Sequence, residues 1–85
     1  MQIEPQDLKK ARDRLVRAQG QLGGIVRMLD EGRDCTEILT QLSAASTALT
    51  RAGFAIIATG MAQCGTDEEG KADRAALEKA FMSLA

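Results

Sequence analysis

The sequence predicts an all-α fold of three helices, and three observations carry that prediction. Apolar residues repeat at alternating intervals of three and four from Leu8 to Leu29, the spacing of one helix face. The apolar content is mostly Ala, Leu, Ile and Met, and two Phe are the only aromatics; this composition favours helix over sheet. Helix-start and helix-stop residues stand where the apolar patterns begin and end.

The first helix is expected from about Pro5 to Glu31. Pro5 suits a first turn and Gly32 a stop. Leu8, Ala11, Leu15, Ala18, Leu22, Ile25 and Leu29 form a sustained heptad stripe, so this helix should pack lengthwise along another. The second helix is expected from about Cys35 to Gln63. Asp34 serves as N-cap and Glu37, three residues on, completes a capping box. Its stripe includes Ile38, Leu42, Ala45, Leu49, Ala52 and Ile56, and Gly65 is placed to end it. From Ala52 to Ala62 no residue is charged. A helix apolar on every face has to be covered on every face, which predicts an oligomer built around it. Gly53 and Gly60 each cost about 0.8–1.0 kcal/mol relative to Ala, a cost that close helix crossing in such an interface would offset. Gly65 to Gly70 reads as a loop. A third helix should run from about Lys71 to Leu84, with Ala76, Leu77, Ala80, Phe81 and Leu84 as its apolar face.

Eighty-five residues give one domain, 1–85, with a limited core of its own. No secretory signal or membrane span is read, since the uncharged run from Ala52 to Cys64 is short for a bilayer. A cytoplasmic location follows, where thiols stay reduced and a cysteine pair binds metal or reacts. No acid/base pair or nucleophile triad suggests an enzyme. The net charge of −1 hides an uneven layout. Between Leu8 and Leu29, Lys9, Lys10, Arg12, Arg14, Arg17 and Arg27 face a single acid, Asp13. A basic helix on a near-neutral chain suggests a local polyanion-binding face; an ordinary solvated helix surface gives the same count.

Two cysteines and no histidine leave no ordinary zinc site. Cys35 and Cys64 stand 29 residues apart, about 44 Å along one straight helix. If they cooperate, they do so between chains. An antiparallel pair of second helices, with its two-fold axis near Leu49 and Thr50, sets Cys35 beside the partner's Cys64 and does so twice. Two small buried hydrophobes would be the bland alternative. Cys35, in a first helical turn and near Arg33, is the better-placed thiolate. It is assigned as the attacking thiol and Cys64 as the resolving one.

The stretch Arg14-Leu-Val-Arg-Ala-Gln-Gly-Gln-Leu-Gly-Gly-Ile-Val-Arg-Met28, then Glu31-Gly-Arg-Asp-Cys35 and Ile38-Leu-Thr-Gln-Leu-Ser-Ala44, resembles the copper- and nickel-sensing CsoR/RcnR repressors. The likeness spans about Leu8 to Cys64. It implies an all-helical chain without a winged helix, forming an antiparallel dimer and then a disc-shaped tetramer that represses transcription until an inducer binds. The family's copper branch has a cysteine on the second helix and a His-x-x-x-Cys at its end. Cys35 and Cys64 match the cysteines, but the histidine position falls on Gly60. Nickel and cobalt members also rely on histidine. Formaldehyde-responsive members pair the first cysteine with an N-terminal proline, for which Pro5 is the counterpart, without a Cys64.

The branch that keeps both cysteines and lacks the histidine is the persulfide-sensing, CstR-like group, which this chain most resembles. That implies interchain di-, tri- or tetrasulfide links as the switch, with reactive sulfur species as inducer and no resident cofactor; Cu(I) on the same two thiolates is the alternative. Arg14, Arg17, Gln21 and Arg27 resemble the family's face for double-stranded operator DNA, and Arg51 extends it. Lys10 and Arg33 are weaker candidates, and Gln19 or Gln21 is a candidate base reader. A helical oligomerisation module with inert cysteines is the remaining class.

Overall fold

The computed structural model describes residues 1–85 and is helical throughout. A 3-10 turn at Pro5–Leu8 leads into α1 (Lys9–Asp30), followed by α2 (Cys35–Gln63) and α3 (Glu68–Leu84). Pro5 begins the 3-10 turn, which precedes the α-helix proper.

Each junction has a local cause. Gly32 ends α1 at φ +66°. Its N–H donates to the Leu29 carbonyl and that of Arg33 to Met28, the two bonds of a Schellman motif. Asp34 starts α2 by accepting from the Glu37 N–H at 3.2 Å. The expected return bond is absent, because the Glu37 carboxylate takes the Arg33 guanidinium instead. The third helix starts three residues earlier than its sequence pattern suggests. Asp67 accepts from the Gly70 N–H at 2.8 Å, and Glu68 and Glu69 occupy the first turn, where the helix dipole favours acids. Gly70 is a contact residue and no breaker: a Cβ there would overlap the Gly65 backbone.

α1 and α2 form an antiparallel hairpin. Arg14 and Arg17 lie beside Ala48 and Arg51, and Gln21 and Ile25 beside Gln41. The heptad stripe of α1 divides into two rows of different size. Ala11, Ala18 and Ile25 are buried, while Leu15, Leu22 and Leu29 stay 39%, 39% and 60% exposed. On α2, Ala45 and Ala52 are buried while Leu42 and Leu49 are exposed. Small residues let the two backbones close, and the leucine rows are left outside.

α3 packs on the C-terminal half of α2 alone. The Phe54 and Phe81 rings stack at 5.1 Å. Gly53 faces Leu84, and Gly60 faces Leu77 at 3.0 Å from a would-be Cβ. Sequence reasoning placed the use of these glycines in an interface between chains; they are notches for α3 of the same chain. α2 is long and apolar enough to cross a membrane by length and composition. Arg51 interrupts it, and Ala45, Ala52, Ile57 and Gly60 are buried. The molecule measures 54 × 25 × 14 Å.

Loss of the α3 cap in Asp67→Ala should cost about 1 kcal/mol. Gly70→Ala should cost more, because the Gly65 backbone has to move. Urea unfolding at one fixed protomer concentration checks the order.

Candidate thiol pair and basic face

Cys35 is the first residue of α2 and exposed; Cys64 follows its last residue and is half-buried. The uninterrupted helix of 29 residues between them holds the two ends about 44 Å apart. No fold of this chain alone brings the sulfurs together while α2 is straight. Asp34 leaves Cys35 at the positive end of the dipole. Arg33 does not serve it in the way its sequence position suggests. Its guanidinium bonds Glu37 and lies 3.8 Å from Glu31, so two carboxylates offset its charge.

Gly60, one turn before Cys64, is buried. The Leu77 methyls stand 3.0 and 3.2 Å from its would-be Cβ, and Ile3 Cδ1 3.7 Å. A Cβ at position 60 would therefore be crowded by the Leu77 methyls of α3. Within the chain no three His, Cys, Asp or Glu side chains gather as a metal site. Two thiolates from neighbouring chains remain a possible ligand set for a soft ion that accepts linear coordination.

The basic residues fall into two stations along the α1–α2 seam. Arg14, Arg17 and Arg51 surround a recess of about 190 Å³ floored by Ala48. Roughly 15 Å further along α1, Gln21, Arg27, Met28 and Arg33 line a second recess of about 340 Å³. Arg27 lies back over Gly23 and Gly24, its guanidinium nitrogens 3.8 and 3.7 Å from their would-be Cβ positions, ordinary van der Waals contact. Arg14, Arg17, Arg27 and Arg51 make no salt bridge, nor does Lys10, whereas Lys9, Arg12 and Arg33 do. Asp13 is 2.7 Å from Lys9. That hydrogen bond, against some desolvation and with the charges of Lys9, Arg12 and Arg17 in support, holds its carboxyl below the usual carboxylate value. The single acid of α1's basic stretch thus stays ionised and engaged by its neighbours.

Gln19 is exposed. Gln21 is half-buried, and its Oε1 is shut off from solvent with no hydrogen-bond partner. Sequence reasoning missed two features here. Leu77 and Ile3 over Gly60 come from segments distant in sequence. The hydrogen bond from Gln63 Nε2 to Asp7 Oδ2, at 3.0 Å, joins side chains that carry no local pattern.

The chain matches known proteins over most of its length. Residues 7–84 fit the family described as Metal-sensitive transcriptional repressor. The copper-sensing transcriptional repressor RicR of Mycobacterium tuberculosis is 38% identical over 53 residues, 62% of this chain and 55% of that protein. The copper-sensing transcriptional repressor CsoR of Mycobacterium ulcerans is 37% identical over 65 residues, 75% of this chain and 56% of that protein. The aligned stretches thus span a little over half the length of these relatives. No solved structure matches. With the family matched from the 3-10 turn to the end of α3, this chain belongs to the metal-sensitive transcriptional repressors.

Proposed function

We propose that this chain represses transcription as an oligomer and releases operator DNA when an inducer joins Cys35 to Cys64 of a neighbouring subunit. The observation that carries the reading is the placement of one cysteine at each end of α2, with exposed leucines along the hairpin between them. Two such hairpins laid antiparallel cover both leucine rows and set the thiols side by side at both ends. Covering what is left exposed of each leucine, 39–60%, adds a corresponding fraction of the about 1.5–3 kcal/mol that burying a whole side chain contributes. A second pairing of dimers into a disc-shaped tetramer is the family's implied next step.

Arg14, Arg17 and Arg51 form the proposed centre of the DNA face, with Arg27 as its second station. Unpaired guanidinium groups are free to take phosphate oxygens. Gln21 is retained in the face as a seam residue beside Arg27. Arg33 ranks lowest, since its charge is already shared. Lys10 sits beyond the Arg14 station and is exposed. The reading places the protein in the cytoplasm, off the membrane, where both thiols start reduced.

Two inducers fit the pair, each with its own support. Cu(I) is supported by the relatives, both named copper-sensing, and by the affinity of thiolates for a soft ion. Reactive sulfur species are supported by Gly60, which offers no side chain as a third donor one turn before Cys64. In that case the Cys35 thiolate attacks the outer sulfur of a persulfide and displaces the donor thiolate. Cys64 then attacks the sulfur of Cys35 and expels hydrosulfide, closing a disulfide. Longer polysulfide donors leave a tri- or tetrasulfide.

One experiment separates the two. Reduced protein is exposed to Cu(I) or to a polysulfide, and intact mass is read beside operator binding. A Cu(I) sensor retains copper without joining chains covalently and releases DNA. A sulfur sensor gives a covalently joined two-chain species, as a disulfide or heavier by one or two sulfur atoms. Cys35→Ser should abolish release in either case; release that survives it ends the thiol-switch reading.

Arg17→Ala and Arg51→Ala should each weaken operator binding and lower the salt slope by roughly 0.9 if one phosphate contact is lost. Titrations at two salt concentrations check this, with sedimentation to show the oligomer unchanged. Leu49→Glu, by contrast, should dissociate the oligomer at micromolar protein.

A further inference from the structure

We propose that Asp7 and Gln63 are positioning residues that couple the state of Cys64 to the basic face of α1. The proposal rests on the thiol-switch reading and names the route by which its signal leaves the site. Three observations carry it.

The first is the bond itself. Gln63 Nε2 donates to Asp7 Oδ2 at 3.0 Å across 56 residues of sequence. Every other side-chain hydrogen bond in the chain spans four residues or fewer. The second is position. Gln63 ends α2 and precedes Cys64 directly, while Asp7 lies in the 3-10 turn that feeds α1 two residues later. Arg14 and Arg17 follow on the next turns of that helix. The third is a groove at this end of the hairpin. Between the start of α1 and α2 lies a groove of about 570 Å³, lined by Asp7, Leu8, Ala11, Ala55, Ala58 and Thr59 among others. Alanines on the α2 side leave little to grip the first turn of α1. The Gln63 bond, the Ile3 contact over Gly60 and the bridge from the Met1 amino group to Asp73 of α3 at 3.7 Å are the identified ties that hold the N-terminal segment to the rest of the chain.

A link drawn through Cys64 to another subunit pulls on the residue beside Gln63. Loss of the Asp7 bond then frees the start of α1, and Arg14 and Arg17 lose their fixed spacing from Arg51. Both Cu(I) and sulfur links act at the same residue, so the route is common to them.

Four variants of the full-length protein test the route. Asp7→Ala and Gln63→Ala remove the bond; Asp7→Asn keeps an acceptor; Gln63→Glu sets two carboxylates against each other. The inducer arm measures operator affinity before and after saturating polysulfide or Cu(I), with link formation or copper content read by intact mass. Asp7→Ala and Gln63→Ala should form the link or take up copper as wild type does. Their inducer-dependent change in affinity should be at least tenfold smaller than that of wild type, with Asp7→Asn restored. The second arm uses no inducer: Gln63→Glu should weaken operator binding at least fivefold, with thermal stability and oligomer size unchanged. Wild-type release in Asp7→Ala overturns the coupling, as does wild-type affinity in Gln63→Glu. A wild-type protein that ignores both inducers sinks the thiol-switch reading instead, and the inducer-free arm still decides whether the bond sets the DNA face.

Discussion

The structure depends on its own thinness. Its shortest dimension is 14 Å, little more than the width of one helix with its side chains, about 10–12 Å. A slab one helix thick has no second layer in which to hide large side chains. The buried hydrophobics are accordingly four alanines and two isoleucines, and the hairpin closes on its small residues. The leucines of α1 and of the first half of α2 are held out to solvent. The energy that a monomer of this length lacks is thereby offered to a second chain. In the proposed assembly the same helix that supplies the interface also carries a cysteine at each end, so that dimerisation and the switch share one surface.

Charge is divided along the same hairpin. Asp13 is absorbed by Lys9 and Arg12, and Arg33 by Glu31 and Glu37. What remains without a carboxylate on the hairpin is Lys10, Arg14, Arg17, Arg27 and Arg51. An exposed ion pair contributes little to stability, commonly about 0–1 kcal/mol, so these local pairs are poor explanations for fold. Their stronger consequence is selection of which cations stay free. A bare count of basic residues treats Lys9, Arg12 and Arg17 alike, whereas the pairing separates them.

Much of this was legible in the sequence because it is periodic or local. The heptad stripe of α1, the Asp34 cap and the Gly32 stop each depend on residues within a few positions of one another. The division of the stripe into an alanine row and a leucine row was written there too, in side-chain size. The start of α3 was harder, since Gly70 reads as a breaker until the Gly65 backbone is seen against it. The glycines of α2 and the Asp7–Gln63 bond were out of reach for a different reason. Their partners lie on other segments, and which segment returns to which face is a tertiary fact that no local spacing encodes. The oligomer inferred from the uncharged half of α2 illustrates the same limit. α3 covers part of that surface, and the stronger case for a partner comes from leucines elsewhere.

The two α2 glycines bear on the choice of inducer. Gly53 and Gly60 are seven residues apart, and so are Leu77 and Leu84, which face them in antiparallel order. Two matched notches place α3 in one register, so the leucine over Gly60 is fixed by the leucine over Gly53. A Cβ at position 60 would need the Leu77 methyls to give by a few tenths of an ångström, at the contact that sets this register. Chemistry at Cys64 is left to what one thiol and a thiol from a neighbouring chain can do together. Two-coordinate Cu(I) and a sulfur bridge both satisfy that restriction, while a site that needs an imidazole from this helix does not.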